Sequence, residues 1–159
     1  SFVHMNNIPS RAPQTSLGMA ATHLDVHFSP QFEFGFGLSY TTFSYQNLRL
    51  KSHQIAQDEC LEVSVDVTNE GNIDATEISQ LYIRDHFASV TRPVKELKGF
   101  SRNMIKAGET KMISFILQPS DLAFYNRKQK LVVEPGKFSL WVGASSNATL
   151  HTEFEVKEK

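Results

Sequence analysis

Paired carboxylates in a cleft are the first residues to seek in a chain of 159 residues that contains seventeen acidic side chains. Two such groups, roughly 5 Å apart or farther, can hydrolyse a glycosidic bond. Most of the acids here lie in turns or at solvent-facing strand positions, including Asp58, Glu59, Glu62, Asp66, Glu70 and Asp74. The sequence therefore predicts a solvated acidic surface and no catalytic pair.

Metal and nucleophile chemistry are equally poorly supported. Only His23, Asp25 and His27 would align on one side of an extended segment, and they fall in an irregular stretch, so we expect no metal site. The Gly35-Phe36-Gly37 sequence lacks the third glycine of a phosphate loop, and we expect no cofactor. Cys60 is the single cysteine, which excludes an intrachain disulfide and favours a structural role.

Exposed aromatic rings are a third source of chemistry, because a ring face packs against the apolar face of a pyranose. The candidates for such a sugar platform are Trp141, Tyr82, Tyr125 and Phe36. The alternative is that these rings are buried against another domain or against the N-terminal arm, and the sequence favours this alternative, since nothing in it places two rings side by side.

Bulk composition excludes two classes of partner. A net charge of −1 and a sequence pI near 6.6 provide no basic footprint for nucleic acid or for an anionic membrane surface. No apolar run approaches the roughly 20 residues that span a bilayer. The single cysteine is compatible with any compartment.

The elements that must position the candidate residues are short alternating strands. From Phe43 onward, apolar and polar residues alternate in runs that turn-forming residues separate. The predicted strands are 43–50 (with a bulge between Tyr45 and Leu48), 61–69, 78–84, 94–100 at a sheet edge, 111–117, 137–143 and 150–156. One helical turn is predicted at 119–122. Seven strands at this spacing indicate an all-β, seven-stranded antiparallel sandwich of the immunoglobulin-like or fibronectin type III-like kind.

The first 42 residues differ from the rest. Pro9, Pro13, Gly18 and Pro30 interrupt any helical or strand period, which predicts an irregular, extended arm. The arm ends in the run 34–43, where two glycines alternate with aromatic rings. Such a run is more typical of a docked connector than of a free linker, and both glycines permit backbone angles that a side chain would forbid. We place the boundary between the arm with its connector (1–42) and the sandwich (43–159).

Several segments resemble, in order and spacing, the C-terminal fibronectin type III-like domain of glycoside hydrolase family 3, the β-glucosidase and β-xylosidase family. The resemblance covers about 125 residues, and its pieces are 34–43, 65–71, 80–85, 88–100, 119–125 and 133–138. The resemblance implies an enzyme architecture of three domains. A barrel carries the nucleophilic aspartate, an α/β domain often supplies the acid/base glutamate, and the third domain is a sandwich like this one. No residue here matches either carboxylate. Glu33 stands where the family usually has proline, which loosens the connector.

The resemblance implies a non-catalytic accessory domain that braces the catalytic domains of the same polypeptide, with the arm coming from a preceding α/β domain. The interface residues implied are Phe34, Gly35, Phe36, Gly37, Leu38, Tyr40, Arg92 and Pro93. Two alternatives stay open: a carbohydrate-binding module that uses Trp141 or Tyr82, and a free-standing adhesion or dimerisation domain with a homodimer partner. The resemblance alone favours a periplasmic or secreted location.

Overall fold

The computed structural model describes residues 32–158, so most of the predicted arm, including His23, Asp25 and His27, lies outside the described residues. The described part consists of ten strands and one helical turn. In chain order they are β1 (Phe43–Leu50), β2 (Gln54–Ala56), β3 (Leu61–Asn69), β4 (Ala75–Asp85), β5 (Glu96–Ile105), β6 (Thr110–Leu117), α1 (Pro119–Leu122), β7 (Phe124–Tyr125), β8 (Leu131–Val132), β9 (Gly136–Gly143) and β10 (His151–Lys157).

Two sheets form a β-sandwich, which confirms the predicted fold class. One sheet has the order β1-β3-β6, the other has the order β2-β10-β9-β4-β5, and β7 and β8 form a separate ribbon. All pairings are antiparallel except that of β10 with β2. In this parallel pair, β2 is the edge strand of the larger sheet and lies next to β10.

All seven predicted strands are present; β1 and β3 have the predicted limits, and the others have shifted ends. β4 begins three residues before the predicted strand 78–84, and β5 occupies 96–105 where 94–100 was predicted. β5 is an edge strand, as predicted. The strands β2, β7 and β8 were not predicted, because two or three residues are too few to show a period of two.

The core lies between the two sheets. β3 shows why: Leu61, Val63, Val65 and Val67 are buried, whereas the residues between them are partly or fully exposed. Alternation places one face of the strand on the opposite sheet, where burial of each such side chain contributes about 1.5–3 kcal/mol. The residues opposite include Leu81, Ile83, Phe138, Leu140, Val142, Phe154 and Val156.

A polar contact joins the two sheets at one end of the core. The hydroxyl of Tyr45 on β1 donates to Glu77 Oε1 on β4 at 2.5 Å and lies 3.2 Å from Ser79 Oγ. Burial raises the pKa of Glu77 above its ordinary value, although hydrogen bonds from Tyr45 and the backbone oppose that shift. Burial likewise raises the pKa of Tyr45. This contact ties β1 to the larger sheet.

β1 contains the predicted bulge. The register with β3 shifts between Gln46 and Arg49, and Asn47 adopts a φ of 52°. Asparagine tolerates the left-handed region better than most residues. The bulge lets Phe43 and Tyr45 before it, and Leu48 and Leu50 after it, all pack against the core.

Candidate functional site

The connector lies against the outer face of the five-stranded sheet. Residues of β4 alternate between the core and this outer face, and Gln80 belongs to the outer set. Its Nε2 donates to the carbonyl oxygens of Gly35 at 2.9 Å and of Ala144 at 2.6 Å. The backbone N–H of Ser146 donates to Phe34 O at 2.9 Å. One strand and one loop therefore hold the chain as it enters the sandwich.

Gly35 is required by this docking, whereas Gly37 is not. Gly35 has a φ of +80°, and a Cβ there would lie 2.1 Å from Gln80 Oε1 and 2.7 Å from the Tyr82 hydroxyl oxygen. Gly37 has no positive φ, and no atom lies within 4 Å of its hypothetical Cβ. Of the two glycines that permit such angles, Gly35 thus uses one and Gly37 does not, because the connector has already left the sheet there.

Tyr82 is covered by the connector. Its side chain is fully buried although it belongs to the outer face of β4, and its hydroxyl donates to Gln80 Oε1 at 2.5 Å. Burial raises the pKa of Tyr82 to about 12. Tyr82 was a candidate sugar platform with burial as the favoured alternative, and in the structure the side chain is buried with its hydroxyl 3.5 Å from Phe34 O of the connector.

On both sides of Gly35 the connector exposes apolar side chains, which we call the connector patch: Phe32, Phe36, Leu38 and Tyr40. Leu38 is 92% exposed and Tyr40 is 96% exposed. Phe32 and Phe36 stack on each other, with ring centroids 5.1 Å apart. Beside the patch lies a groove of about 440 Å³ between the connector, the start of β1 and the loop that follows β9. Large apolar residues grouped in this way are typical of interaction sites.

Trp141 is only half-exposed, and its ring has neighbours. Lys95 Nζ lies 4.5 Å from the ring centroid, and the His151 ring stacks at 6.2 Å. Lys95 Nζ also donates to Ser146 O at 2.9 Å and to Ala148 O at 3.2 Å. Desolvation lowers the pKa of Lys95. The tryptophan therefore helps to hold the same loop that anchors Phe34. Tyr125, another candidate for the sugar platform, is 67% exposed and lies on the ribbon of β7 and β8.

Arg92 is largely engaged within the chain. Its Nε donates to Glu96 Oε1 at 2.8 Å, and its guanidinium carbon lies 4.6 Å from the Phe124 ring centroid. Burial acts to raise the pKa of Glu96, but its bonds with Lys98 and Arg92 outweigh burial and leave the pKa lowered. Arg92 Nη1 is buried without a hydrogen-bond partner within residues 32–158. Pro93, the other predicted interface residue of this loop, is exposed.

The loop around Arg92 encloses a second cavity of about 360 Å³. Arg84, Asp85, Arg92 and Arg127 line it together with loop residues 86 and 88–94. Burial raises the pKa of Asp85, although the hydrogen bond from the Phe87 backbone and the charge of Arg92 oppose that shift. The predicted interface residues thus fall into two places: the glycines and aromatics lie in the connector, and Arg92 and Pro93 lie in this cavity.

Sequence reasoning missed Gln80, Lys95, Arg84 and Arg127. Gln80 carried a usable signal, because an amide inside a strand that is apolar on both faces needs a hydrogen-bond partner. Lys95 and the two arginines looked like ordinary surface charges. Their neighbours come from distant parts of the chain.

Within residues 32–158, no three His, Cys, Asp or Glu side chains converge in a way that would hold a metal ion. The same residues include no helix long and apolar enough to cross a bilayer. Cys60 is exposed beside β3, and its thiol lies 3.0 Å from Gln118 Oε1.

Comparison with known proteins gives concordant results. A family model described as a fibronectin type III-like domain matches residues 77–146. A β-xylosidase of Formosa agariphila is 51% identical over 120 residues, which is 76% of this chain and 17% of that protein. A periplasmic β-glucosidase of Salmonella typhimurium is 36% identical over 155 residues, 98% of this chain and 20% of that protein.

Solved structures agree. A β-glucosidase from Listeria innocua in complex with glucose superimposes with a TM-score of 0.83 at 35% identity, covering 97% of this chain and 22% of that one. β-Glucosidase 3B from Thermotoga neapolitana in complex with glucose gives a TM-score of 0.73 at 35% identity, covering 82% and 18%. The chain thus spans about a fifth of the length of the proteins that it matches.

Proposed function

This chain contains a fibronectin type III-like domain similar to those of β-glucosidases and β-xylosidases, and on this premise we propose that it is a non-catalytic accessory domain of a glycoside hydrolase. Its role is to brace the catalytic domains of the same polypeptide. The parent would hydrolyse β-glycosidic bonds. The small share of each relative that the chain covers supports this division of labour, because most of each relative's length lies elsewhere.

The docked connector is the observation that carries the bracing role. Hydrogen bonds from Gln80 and Ser146 fix the backbone at Phe34 and Gly35, so the connector is held at a defined place on the sandwich. The connector patch then presents Leu38 and Tyr40 almost fully exposed. A connector that is held in place beside exposed apolar side chains suits a second domain that packs against the connector patch.

We accordingly assign residues 1–42 to the arm and connector and residues 43–159 to the sandwich. The exposed part of the connector belongs functionally to the interface between domains. A relative named as periplasmic is 36% identical to this chain, which supports a periplasmic or secreted parent.

The test begins with the reading frame upstream of Ser1. We expect it to encode barrel and α/β domains, and we expect the longer product, but not the 159-residue chain, to hydrolyse an aryl β-glucoside. In the longer product, the double variant Leu38→Ser/Tyr40→Ser should lower the activity and the melting temperature.

The matched control is Met112→Ser/Ile116→Ser, which removes two exposed apolar side chains from the outer face of β6. This control should leave activity unchanged. Hydrolysis by the pure 159-residue chain would contradict the accessory role. Equal behaviour of the patch variant and its control would contradict the bracing role.

A further inference from the structure

We propose that the cavity beneath the loop 86–94 is a binding site for a carboxylate group. Three arginines line it, Arg84, Arg92 and Arg127, and we call it the arginine pocket. The guanidinium group is planar and presents paired N–H donors that match the two oxygens of a carboxylate. The cavity volume of about 360 Å³ accommodates an acidic side chain or a single sugar acid.

Arg92 supplies the first independent observation. Its side chain is 10% exposed, and Glu96 satisfies Nε and Nη2, at 2.8 and 2.7 Å. Nη1 is buried and has no hydrogen-bond partner among the described residues. Leaving a buried donor of a charged group unsatisfied costs free energy that an incoming acceptor would recover. The arginine is held in position by Glu96 while one buried donor lacks a partner within residues 32–158.

Arg84 and Arg127 supply the second observation. Both are exposed, and within residues 32–158 neither takes part in an ion pair. They come from the end of β4 and from the turn between β7 and β8, which are far apart in sequence. The fold therefore brings two unpaired guanidinium groups to the rim of a cavity whose wall holds a third.

The acidic groups nearby do not neutralise the pocket. Asp85 is the single carboxylate in its lining, and its Oδ1 accepts from the Phe87 backbone at 3.1 Å. Glu134 Oε2 accepts from the Ser89 backbone at 2.9 Å, and its charge acts on Asp85. Glu96 already pairs with Arg92, so Arg84 and Arg127 are the lining guanidinium groups that have no ion pair within residues 32–158. Two such groups beside the single lining carboxylate of Asp85 favour a monoanion over a dianion such as phosphate.

A carboxylate has two sources here. One source is an acidic side chain of an adjoining domain, and this assignment rests on the proposed bracing function. The other source is a free sugar acid, and this assignment is independent of the bracing function. The same chemistry serves both, so the probes must separate them.

The experiment is a titration of the isotopically labelled 159-residue chain, followed by the backbone amide chemical shifts of residues 84–92 and of Val94. The probes are sodium acetate, sodium glucuronate and neutral glucose, at an ionic strength held constant with sodium chloride because screening weakens exposed charge pairs. We expect saturable shifts with both carboxylates, with dissociation constants in the millimolar range, and no shifts with glucose.

Arg127→Gln should weaken carboxylate binding at least about fivefold, the effect of losing a charge-assisted hydrogen bond. Arg102→Gln removes one exposed charge from β5, outside the pocket, and should change nothing. If Arg127→Gln loses its dispersed spectrum, Arg84→Gln takes its place in the comparison.

Equal affinity for acetate and glucuronate identifies an acidic side chain as the occupant, whereas about tenfold tighter binding of glucuronate identifies a sugar acid. Absence of saturable shifts with both carboxylates in the folded chain would overturn the proposal, as would equal loss of binding in Arg127→Gln and Arg102→Gln. Neither result bears on the connector patch, whose test is the activity of the longer product.

Discussion

The side-chain amide of Gln80 donates to the backbone carbonyl of Gly35 across 45 positions of sequence, at 2.9 Å. The same nitrogen reaches Ala144 O at 2.6 Å, so one residue in the middle of β4 fastens both the connector and the loop after β9. Tyr82 completes the contact from the next outward position by donating to Gln80 Oε1. The stability of the domain and the direction of the connector are therefore coupled.

Replacing Gly35 with alanine should lower the free energy of unfolding by about 1–3 kcal/mol, because the new Cβ meets Gln80 and Tyr82 and the backbone is left-handed. Urea denaturation measures the change. The matched control is Gly37→Ala, which has open space and should be neutral or stabilising by up to about 1 kcal/mol. Equal effects at the two positions would show that the connector is not docked in solution.

Gln80→Ala should destabilise the chain by about 1–3 kcal/mol, since the carbonyl of Ala144, the carbonyl of Gly35 and the hydroxyl of Tyr82 all lose a partner. The connector should also become sensitive to limited proteolysis. Gln46→Ala, at an exposed position of β1, is the control and should stay within about 0.5 kcal/mol of the parent. Unchanged cleavage of the connector in Gln80→Ala would rule out its role as the anchor.

Glu77 should make stability depend on pH. Because burial raises its pKa in the folded state, the folded chain binds more protons than the unfolded chain between the ordinary pKa and the raised value. Stability therefore falls as pH rises through this window. Denaturation between about pH 4 and 8 should show a smaller fall for Glu77→Gln than for the parent.

Two variants check this assignment. Glu153→Gln removes an exposed carboxylate from β10 and should leave the pH dependence as it is in the parent. Tyr45→Phe deletes a hydrogen bond that lowers the pKa of Glu77, so the fall in stability should extend to higher pH. A parent profile that coincides with that of Glu77→Gln would refute the role of Glu77.

Lys95 and Trp141 should be energetically coupled. Lys95 Nζ lies 4.5 Å from the ring centroid, and such cation–π contacts contribute about 0.5–2 kcal/mol. A double-mutant cycle with Lys95→Met and Trp141→Leu should show coupling of this size. The cycle of Lys106→Met with Trp141→Leu is the control, since Lys106 is exposed on another part of the surface. Additive effects for Lys95 and Trp141 would mean that the contact contributes nothing.

The same Trp141→Leu variant separates the bracing role from sugar binding. Because Lys95 occupies one face of the ring, we expect titration with cello- and xylo-oligosaccharides to produce no saturable change in tryptophan fluorescence. Millimolar or tighter binding by the parent chain that is lost in Trp141→Leu would instead support a carbohydrate-binding module.

The sandwich itself could be predicted from the sequence because a half-buried strand repeats every two residues. β3 is the clearest case, and its predicted and observed limits coincide at Leu61 and Asn69. The bulge in β1 was also predictable, since the apolar residues change phase there, and α1 begins at Pro119 as expected. These features depend on local patterns, which a single segment carries.

The candidate site was only partly predictable, because it depends on contacts between distant segments. Composition and order marked the connector, and they indicated that Gly35 adopts an unusual backbone angle. Only the tertiary structure decided that Tyr82 is buried and that Lys95 occupies one face of Trp141. It also decided that Arg92 bonds Glu96, while Arg84 and Arg127 form no ion pair with the other residues of the described part. Alternation along a strand shows which residues face outward, but the groups that cover that face come from segments that are distant in sequence.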